Sequence, residues 1–421
     1  MKIAIIGSGI SGLTCAHLLH DKHEISVFES DSRIGGHTAT KDIVLNDRHY
    51  AIDTGFIVFN DWTYPNFIKL MSDLGVASQP TSMSFSVVNE STGREYGGSR
   101  IAALFAQRRN WFNPKHWLML RDIVRFNREA NLALQNGILS DGMTLREYLK
   151  INAYSDVFRD NYLIPMGSAI WSTSLQDMLD MPVLFFVRFF RNHGLLSIKN
   201  RPQWRVIQGG SISYLAPLSK GYEQNIRLNA KIRQVERSHD QVRLTMSDGV
   251  IETFDQVVFA CHSDQVLRLL IDYSDDEQEI LGSIPYAENE VVLHTDERLL
   301  PKRKAAWSSW NYRIIGSKLR PPVLSYNMNI LQGIDSEHTF IVTLNATDRI
   351  EPARILGRYY YSHPQFNLDS VQMQQQWQKI NGVNRTWFCG AYWRNGFHED
   401  GCVSGIRVAN QLGADWELLD E

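Results

Sequence analysis

Residues 2–14 read KIAIIGSGISGLT, an apolar run followed by glycines at positions 7, 9 and 12. The run predicts a buried strand, and the glycine spacing is typical of the turn that leads from such a strand into a helix in dinucleotide-binding folds. Gly7 permits the tight turn, Gly9 lets the backbone approach a diphosphate, and Gly12 lets the helix pack closely on the sheet. The stretch predicts a Rossmann-like domain that binds a dinucleotide, with a purely structural glycine turn as the alternative.

The residues that follow this turn strengthen the nucleotide interpretation. Ile10 and Ser11 fall in the first turn of the predicted helix, where unpaired N–H groups and the helix dipole stabilise an anion. Glu29 closes the second predicted strand, about 20 residues further on, where a carboxylate accepts hydrogen bonds from both ribose hydroxyls. Ser30 follows it directly. Because the carboxylate of Glu29 repels a 2′-phosphate, NADP is disfavoured.

Further glycine motifs lie beyond the acid and near the other end of the chain. Arg33-Ile34-Gly35-Gly36-His37-Thr38 and Asp53-Thr54-Gly55-Phe56-Ile57 have no obvious use in a simple NAD site. Residues 387–392 read WFCGAY, and residues 396–401 read GFHEDG. The choice between NAD and FAD therefore depends on these additional motifs.

On these motifs the chain resembles the flavin-containing amine oxidase superfamily. The resemblance implies noncovalent FAD touched by both ends of the chain, with Asp53–Phe56 beside the isoalloxazine, the Ile232 backbone at the adenine and Ala260 near the pyrophosphate. The positions expected to contact FAD are Gly7, Gly9, Ile10, Ser11, Gly12, Glu29, Ser30, Arg33, Gly35, Gly36, His37, Thr38, Thr54, Gly55, Phe56, Ile57, Ile232, Ala260, Gly390, Ala391, Phe397 and His398.

Three departures from the superfamily pattern argue against an amine substrate. Phe397 stands where an aromatic-cage tyrosine would be, and Tyr392 falls where the family usually carries an acid. The cysteine that holds flavin covalently in some members has no counterpart upstream of Gly390. Amine oxidation is therefore not the favoured reaction.

A narrower resemblance extends over nearly the whole chain. Residues 165–172 (PMGSAIWS), 203–205 (QWR) and 309–312 (SWNY) look like a bacterial group of FAD-binding oxidoreductases encoded beside cyclopropane-fatty-acid-synthase-like methyltransferases. Some members of that group are assigned to the desaturation of methylated acyl chains on the way to furan fatty acids. The resemblance implies an oxidoreductase that removes hydride from a hydrophobic substrate, with a methylated acyl chain of a membrane phospholipid as the favoured one.

Two other reactions stay open at this point. An amine or polyisoprenoid oxidase would keep the fold and change the pocket. A non-redox flavin mutase would need pocket arginines that recognise phosphates, for which Arg188, Arg191, Arg201 and Arg205 are candidates. No residue is identified as a catalytic base, and the electron acceptor is not indicated.

The size and composition of the chain limit its organisation. At 421 residues it is too long for one compact core. We predict an α/β protein with amine oxidase/p-hydroxybenzoate hydroxylase-like architecture. Its discontinuous FAD-binding domain would comprise residues 1–85, 206–270 and 382–421, and its α+β substrate domain residues 86–205 and 271–381, starting with a long helical region after about residue 80.

Charge and cysteine usage indicate the compartment and the partners. The net charge of −3 gives no reason to expect nucleic acid, and thirteen histidines without HxH or HExxH spacing predict no metal site. Four scattered cysteines and a first strand that starts at once predict a cytoplasmic protein with reduced thiols.

Two stretches combine basic and aromatic residues. From Arg100 to Arg128, seven Lys or Arg accompany one acid, Asp122, and are interleaved with Phe105, Trp111, Phe112, Trp117 and Phe126. Residues 185–191 (FFVRFFR) repeat the theme. Such a composition is typical of peripheral contact with anionic lipid, here at the inner membrane face. The alternative is that the rings belong to the core and the charges to a solvated face.

Three further motifs are open to two interpretations each. Trp310 and Tyr312 would share one face of a strand, which either flanks the flavin or, as we favour, belongs to the substrate-domain core. Pro165–Ser172 predicts either a wall near the cofactor or a packing helix. Gln208-Gly209-Gly210-Ser211 either brings backbone close to the flavin, as we favour because it precedes the segment that rejoins the cofactor domain, or turns the chain into the next helix.

Overall fold

The structure is a computed structural model that describes residues 1–316 and 321–420. Its first layer is a parallel sheet, whose strands are buried on both faces, as the apolar runs around Ile5 and Val258 predict. Strands and helices are numbered along the chain. In spatial order this sheet contains β10 (Ile226–Arg227), β2 (Glu24–Phe28), β1 (Lys2–Ile6), β14 (Gln256–Phe259) and β20 (Thr386–Phe388).

A second, larger sheet is built mainly from the middle of the chain. Its ladders are antiparallel except for the parallel pairing of residues 85–89 with residues 310–314. In spatial order it contains β19 (Ile355–Pro364), β15 (Tyr286–His294), β18 (Ile341–Leu344), β17 (Val323–Asn327), β16 (Trp310–Ile314), β7 (Phe85–Asn89) and β8 (Arg94–Gly97).

Three small sheets complete the strands of the described residues. They consist of β11 (Ile232–Arg237), β12 (Val242–Met246) and β13 (Ile251–Phe254); of β3 (Thr40–Leu45) and β4 (Arg48–Asp53); and of β5 (Phe59–Asn60), β9 (Trp204–Ile207) and β6 (Ser78–Pro80). The last of these ties the segment after the Asp53 motif to the segment before the Gly209-Gly210 turn.

Sixteen α-helices are described. They are α1 (Ile10–Leu19), α2 (Pro65–Asp73), α3 (Ile101–Leu104), α4 (Pro114–Gln135), α5 (Leu145–Ile151), α6 (Asp156–Phe158), α7 (Ile164–Trp171), α8 (Leu175–Asp180), α9 (Val183–Asn192), α10 (Leu215–Ser219), α11 (Ser263–Leu269), α12 (Asp275–Gly282), α13 (Met328–Gln332), α14 (Leu368–Gln374), α15 (Trp377–Ile380) and α16 (His398–Gln411). Within residues 1–316 and 321–420, no helix combines the length and the apolar character needed to cross a membrane.

The helical region begins later than the sequence predicts. Residues 78–97 form β6, β7 and β8 before the first helix of this region starts at Ile101. The β-branched Val87 is fully buried, and β7 gains its partner β16 from more than 200 residues away. Local periodicity does not reveal such a distant partner, so the prediction of a helical start near residue 80 is wrong.

The first helix along the chain packs against the last one. α1 packs on α16, and the core around them includes the apolar residues of β1 and β2. All strands of the parallel sheet come from the three segments predicted for the FAD-binding domain. The exact domain boundaries stay a prediction.

Candidate active site

The glycine turn after β1 has the geometry of a diphosphate-binding loop. Gly7 has φ +109°, and a Cβ on it would lie 2.7 Å from the Ala260 oxygen. A Cβ on Gly12 would lie 2.1 Å from the Gly7 oxygen, so Gly12 is needed for packing within the turn. At Gly9 the space is open, because no atom lies within 4 Å of the Cβ position. The missing side chain of Gly9 thus leaves space for a ligand, whereas those of Gly7 and Gly12 leave space for other parts of the protein.

The helix that starts at this turn presents free donors. α1 begins at Ile10 after Gly9, has no side-chain cap and carries no acid in its first turn. Its partial positive charge and unpaired N–H groups therefore face the open space at Gly9. Ser11 is buried against α16.

Glu29 lies at the end of β2, next to the turn. Its carboxylate accepts hydrogen bonds from the Ser8 N–H at 3.0 Å, the Ser8 hydroxyl at 2.5 Å and the Asp31 N–H at 2.9 Å. The Ser30 hydroxyl lies 3.4 Å from Oε1. The Ala230 N–H donates to the backbone oxygen of Glu29 at 2.8 Å, which brings the start of β11 beside the acid. Ile232 is thus two residues from the position where a nucleoside would meet Glu29.

The doublet Gly35-Gly36 folds back onto the turn. Both glycines have positive φ, and a Cβ on Gly36 would lie 3.4 Å from the Gly9 Cα. The Gly35 N–H donates to the Ser8 oxygen at 2.9 Å. Arg33 donates to the backbone oxygens of Gly36 at 2.7 Å and Thr38 at 2.9 Å, so its guanidinium braces this loop.

The segment Asp53–Ile57 packs beside the doublet. Gly55 is required there, because a Cβ would lie 2.1 Å from the His37 oxygen. Thr54 contacts the Tyr361 hydroxyl at 2.9 Å, which links this segment to the larger sheet. Phe56 stacks on the His398 ring with 3.5 Å between centroids and an interplanar angle of 8°. Ile57 is buried.

Asp53 is the buried anchor of this segment. It accepts hydrogen bonds from the Thr40 hydroxyl at 2.6 Å and from the Ser211 N–H and hydroxyl at 2.9 and 2.8 Å, and Gln332 contacts its other oxygen at 3.2 Å. Burial raises its pKa to about 6, against these hydrogen bonds, which lower it. Asp53 therefore holds Ser211, the residue that follows the Gly209-Gly210 turn.

His398 joins three distant parts of the chain. Its Nε2 lies 3.0 Å from the Thr38 hydroxyl and 3.1 Å from the Tyr214 hydroxyl, and these two hydroxyls contact each other. Burial holds the pKa of His398 well below its usual value, so the ring is neutral. The motif at the end of the chain is thereby fixed against the doublet loop.

α16 begins at His398 and packs closely on α1. A Cβ on Gly401 would lie 2.8 Å from Ile10 Cγ2, and one on Gly405 would lie 2.4 Å from the Ser11 oxygen. The first turns of the two helices are therefore adjacent. Gly390, which ends the β20 segment together with Ala391, donates its N–H to Ser404 Oγ at 3.0 Å.

Three histidines line the same region, and the sequence motifs identified only one of them. The ring centroid of His37 lies 5.4 Å from that of His363 and 6.1 Å from that of His262. His262 stacks on Tyr286 at 4.5 Å. Burial lowers the pKa of His37 and His262 to about 4 and that of His363 to about 3. All three residues are partly exposed, and their imidazole rings are neutral.

Aromatic rings surround Phe397. Phe189 stacks on it with 5.1 Å between centroids, and His193 lies 6.0 Å away. Trp171 lies 4.7 Å from Phe189, and Trp204 lies 6.3 Å from His193. We call these five residues the aromatic wall. The prediction that Phe397 occupies an aromatic position beside the cofactor motif is consistent with this packing.

His193 is polar but its ring nitrogens are engaged. Nδ1 contacts the Phe189 oxygen at 3.0 Å, and Nε2 contacts the Thr63 hydroxyl at 3.2 Å. Burial lowers the pKa of His193 to about 4. His193 therefore adds no positive charge to the aromatic wall.

The acids of the last motif stabilise backbone groups. Glu399 accepts hydrogen bonds from the Asn66 N–H at 2.9 Å and the Phe67 N–H at 2.8 Å, which caps α2, and Asp400 accepts from the Phe397 N–H at 2.8 Å. Both carboxylates are therefore engaged by backbone N–H groups of the chain itself.

The motifs at residues 165–172 and 309–312 meet each other. α7 packs on β16, where Tyr312 is buried against Ala169 and Leu324. Trp310 lies on the same strand face and forms an edge contact with Tyr326 at 5.1 Å. This arrangement agrees with the favoured interpretation of Trp310 and Tyr312 as a strand of the substrate-domain core.

The two basic-aromatic stretches differ in how far their rings are exposed. In α9, Phe186, Phe189 and Phe190 are buried in a core cluster, and Arg188 and Arg191 lie on the exposed face. Arg205 donates to the Ser78 side chain and backbone at 2.9 Å, so it braces β6 on β9. For this stretch the alternative of core rings and solvated charges is the right one. In the stretch from Arg100 to Arg128, some of the rings are exposed.

The residues around Gly9 fit FAD in the space that they leave open and in their donors. The open position at Gly9 and the uncapped α1 form a cradle that a Cβ at Gly9 would partly fill. Glu29 would hold the ribose, α1 and the doublet loop the diphosphate, and the residues around Phe56 and His398 the ring system. Cys389, directly before Gly390, is fully buried, which raises its thiol pKa well above the usual value and disfavours a reactive thiolate.

Comparison with known proteins agrees with this fit. Residues 10–330 match the family described as flavin containing amine oxidoreductase. The chain is 24% identical over 323 residues to a putative flavin-containing monoamine oxidase, AofH, of Mycobacterium tuberculosis, covering 75% of this chain and 67% of that protein.

Solved structures share the fold. A CLA-producing fatty acid isomerase from P. acnes superposes with a TM-score of 0.70 at 15% identity and 98% coverage of both chains. A putative protoporphyrinogen oxidase from Exiguobacterium sp. 255-15 has a TM-score of 0.68 at 14% identity, covering 97% of this chain and 98% of the other. These likenesses confirm the predicted α/β flavoprotein fold. Since the family match spans well over half of the chain, the protein belongs to the flavin containing amine oxidoreductase family and is an FAD-dependent oxidoreductase.

Proposed function

We propose that this oxidoreductase removes hydride from a hydrophobic substrate, and that the substrate is a methylated fatty acyl chain of a membrane phospholipid. The observation that carries the proposal is the aromatic wall around Phe397, which adjoins the cofactor motif at His398. Phe397 and Trp204, the two partly exposed members of this wall, would offer apolar surface that favours an acyl chain over a solvated cation.

The polar groups near this wall support the same substrate class. Glu399 and Asp400 direct their carboxylates to backbone N–H groups, and His193 is neutral. Phe397 lacks the hydroxyl that the family tyrosine would present. A charged amine would find little compensation for its lost hydration here. A fatty acid isomerase of the same fold is consistent with such a pocket but does not identify the reaction.

The chemistry divides between cofactor and chain. FAD, when bound, accepts the hydride. The aromatic wall would orient the acyl chain and exclude water. The neutral histidines would place no charge beside the acyl chain.

The test is anaerobic incubation of the purified FAD-loaded protein with vesicles that contain methylated acyl chains. The expected result is loss of the oxidised-flavin absorbance and a lipid product lighter by two hydrogens. Unmethylated saturated vesicles are the matched control. Flavin reduction by putrescine or by an isoprenoid, with none by the methylated lipid, would refute the acyl substrate and select the corresponding alternative.

A variant of the wall sharpens this test. Phe397→Tyr adds only a hydroxyl, and leaving it unpaired among rings costs about 1–3 kcal/mol. We expect kcat/KM for a soluble methylated fatty acid to fall roughly 5- to 150-fold. The FAD content and the melting temperature of the variant distinguish a pocket effect from loss of cofactor or fold. An unchanged kcat/KM would mean that the substrate does not contact Phe397.

A further inference from the structure

One group of apolar side chains lies exposed on the surface formed by α3, the turn after it and the start of α4. Ile101, Trp111, Phe112 and Trp117 are 70%, 48%, 91% and 47% exposed. Phe105 stacks on Trp111 at 3.8 Å, and the Trp117 indole N–H donates to the Trp111 oxygen at 2.9 Å. We call the four exposed residues the aromatic tip. Because the rings of the tip pack on one another, they form one exposed apolar patch and are not exposed singly.

A basic cavity lies against this tip. Its volume is about 410 Å³, and its lining consists of Thr92, Arg94, Arg109, Asn110, Phe112, Asn113 and Pro114. Phe112 therefore belongs both to the cavity and to the aromatic tip. The two charged residues of this lining are cations.

Arg94 is the unusual member of the lining. It starts β8, is 7% exposed, and its Nη1 is buried with no hydrogen-bond partner among the described residues. Arg109 does not compensate this charge, and its own Nη2 donates to the Gly93 oxygen at 2.5 Å. A buried guanidinium without a carboxylate is costly unless an anion completes it.

The acids close in sequence are paired elsewhere. Glu95, the next residue on β8, pairs with Arg303 and accepts from the Lys302 N–H at 3.0 Å. Glu90, which precedes Arg94 on the same hairpin, has its carboxylate 3.1 Å from Arg313 Nη1 and 2.6 Å from Arg349 Nη1. His116, near Arg94, is kept neutral because burial lowers its pKa to about 4. The basic cavity thus has a net positive charge that these groups do not neutralise.

We propose that the basic cavity binds the phosphate of an anionic phospholipid headgroup while the aromatic tip enters the membrane interface. Guanidinium groups match phosphate oxygens in geometry and charge. A soluble phosphate would give no reason for the exposed Phe112 at the rim. A lipid accounts for both features, since its headgroup would lie at Arg94 and Arg109 and its glycerol and acyl region at the aromatic tip.

Docking of the protein on a membrane through the basic cavity does not depend on which substrate is oxidised. The experiment is flotation of the FAD-loaded protein with phosphatidylcholine vesicles, with and without phosphatidylglycerol. Binding is expected only to the vesicles with phosphatidylglycerol, and it should weaken with added salt. Flotation needs no turnover, so failure of the acyl substrate would leave this result unaffected.

Two variants and two matched controls test the site. Arg94→Gln should weaken vesicle binding about tenfold or more, because it removes a charge-assisted contact. Phe112→Ser should weaken it by a similar factor through loss of insertion. Arg233→Gln and Ile271→Ser remove an exposed cation and an exposed apolar residue elsewhere and should bind as wild type. Because Arg94 Nη1 has no partner among the described residues and Phe112 is exposed, neither variant should lower the melting temperature.

Three outcomes would overturn the proposal. One is wild-type protein that does not float with phosphatidylglycerol vesicles. Another is equal binding by wild type and Arg94→Gln. The third is calorimetric binding of sn-glycerol 3-phosphate or inorganic phosphate that requires Arg94, without any vesicle binding, which would assign the cavity to a soluble phosphate instead.

Discussion

Replacing Gly9 by alanine separates the glycine that serves the cofactor from those that serve the fold. Gly9 has φ −69° and ψ 179°, a conformation that alanine adopts without strain, and no atom lies within 4 Å of the new Cβ. The FAD-free variant should therefore be as stable as wild type or gain about 0.4–1 kcal/mol from the unfolded chain. The same Cβ occupies the space through which a diphosphate would approach the loop.

We expect a large loss of FAD affinity in this variant. An extra methyl group in a fitted contact costs about 1–3 kcal/mol, which is roughly 5- to 150-fold in the dissociation constant. The assay is titration of FAD-free protein with FAD, followed by tryptophan quenching, beside thermal unfolding without FAD. Gly12→Ala is the matched comparison, because its Cβ would lie 2.1 Å from the Gly7 oxygen and should destabilise the FAD-free protein itself. Wild-type FAD affinity in Gly9→Ala would refute the placement of the diphosphate.

Three further outcomes follow from buried ionisable groups. Burial raises the pKa of Asp53 to about 6, so the unfolded chain releases this proton at lower pH than the folded protein does. The wild-type free energy of unfolding therefore falls as pH rises from about 4 to 6. Asp53→Asn should gain stability relative to wild type over that window, by up to about 3 kcal/mol, in urea unfolding at several pH values. Glu399→Gln should cost about 1–3 kcal/mol in the same assay, because an NH₂ group would face the α2 N–H donors, whereas the exposed Glu279→Gln should cost little. Since an anionic diphosphate favours protonated imidazole and the pKa of His37 is about 4, FAD affinity should rise as pH falls towards 4. A dependence that is unchanged in His37→Gln would contradict a role for that ring.

The nucleotide half of the site is predictable because its geometry is local. The strand, the turn and the helix at residues 2–19 follow one another in the sequence, and each glycine answers a backbone requirement within a few residues. The acid at Glu29 and the doublet at Gly35-Gly36 are also fixed by short-range spacing. For these parts sequence and structure agree.

The cluster of three histidines is not predictable in the same way. His37, His262 and His363 come from a loop, the start of a helix and an edge strand, and only the pairing of distant strands brings them together. One signal was available for His262, which follows β14 by three residues. Side chains just beyond the carboxyl ends of parallel strands lie at the ligand edge of such a sheet.

The basic-aromatic stretches show why composition cannot decide exposure. Phe186 and Phe112 belong to stretches of similar composition, yet one is fully buried and the other is almost fully exposed. The difference arises from what packs on each segment. α9 is covered by its helical neighbours, whereas the turn that carries Phe112 ends at the rim of the basic cavity.

The contact between α1 and α16 has a consequence for how the protein is made. α1 leaves the ribosome long before the glycine face that covers it, which belongs to residues 398–411. At about 5–20 residues per second, synthesis separates the two helices by roughly 20–75 s. During that time the flavin cradle lacks one wall, so a nascent chain cannot complete its cofactor site until α16 has been made.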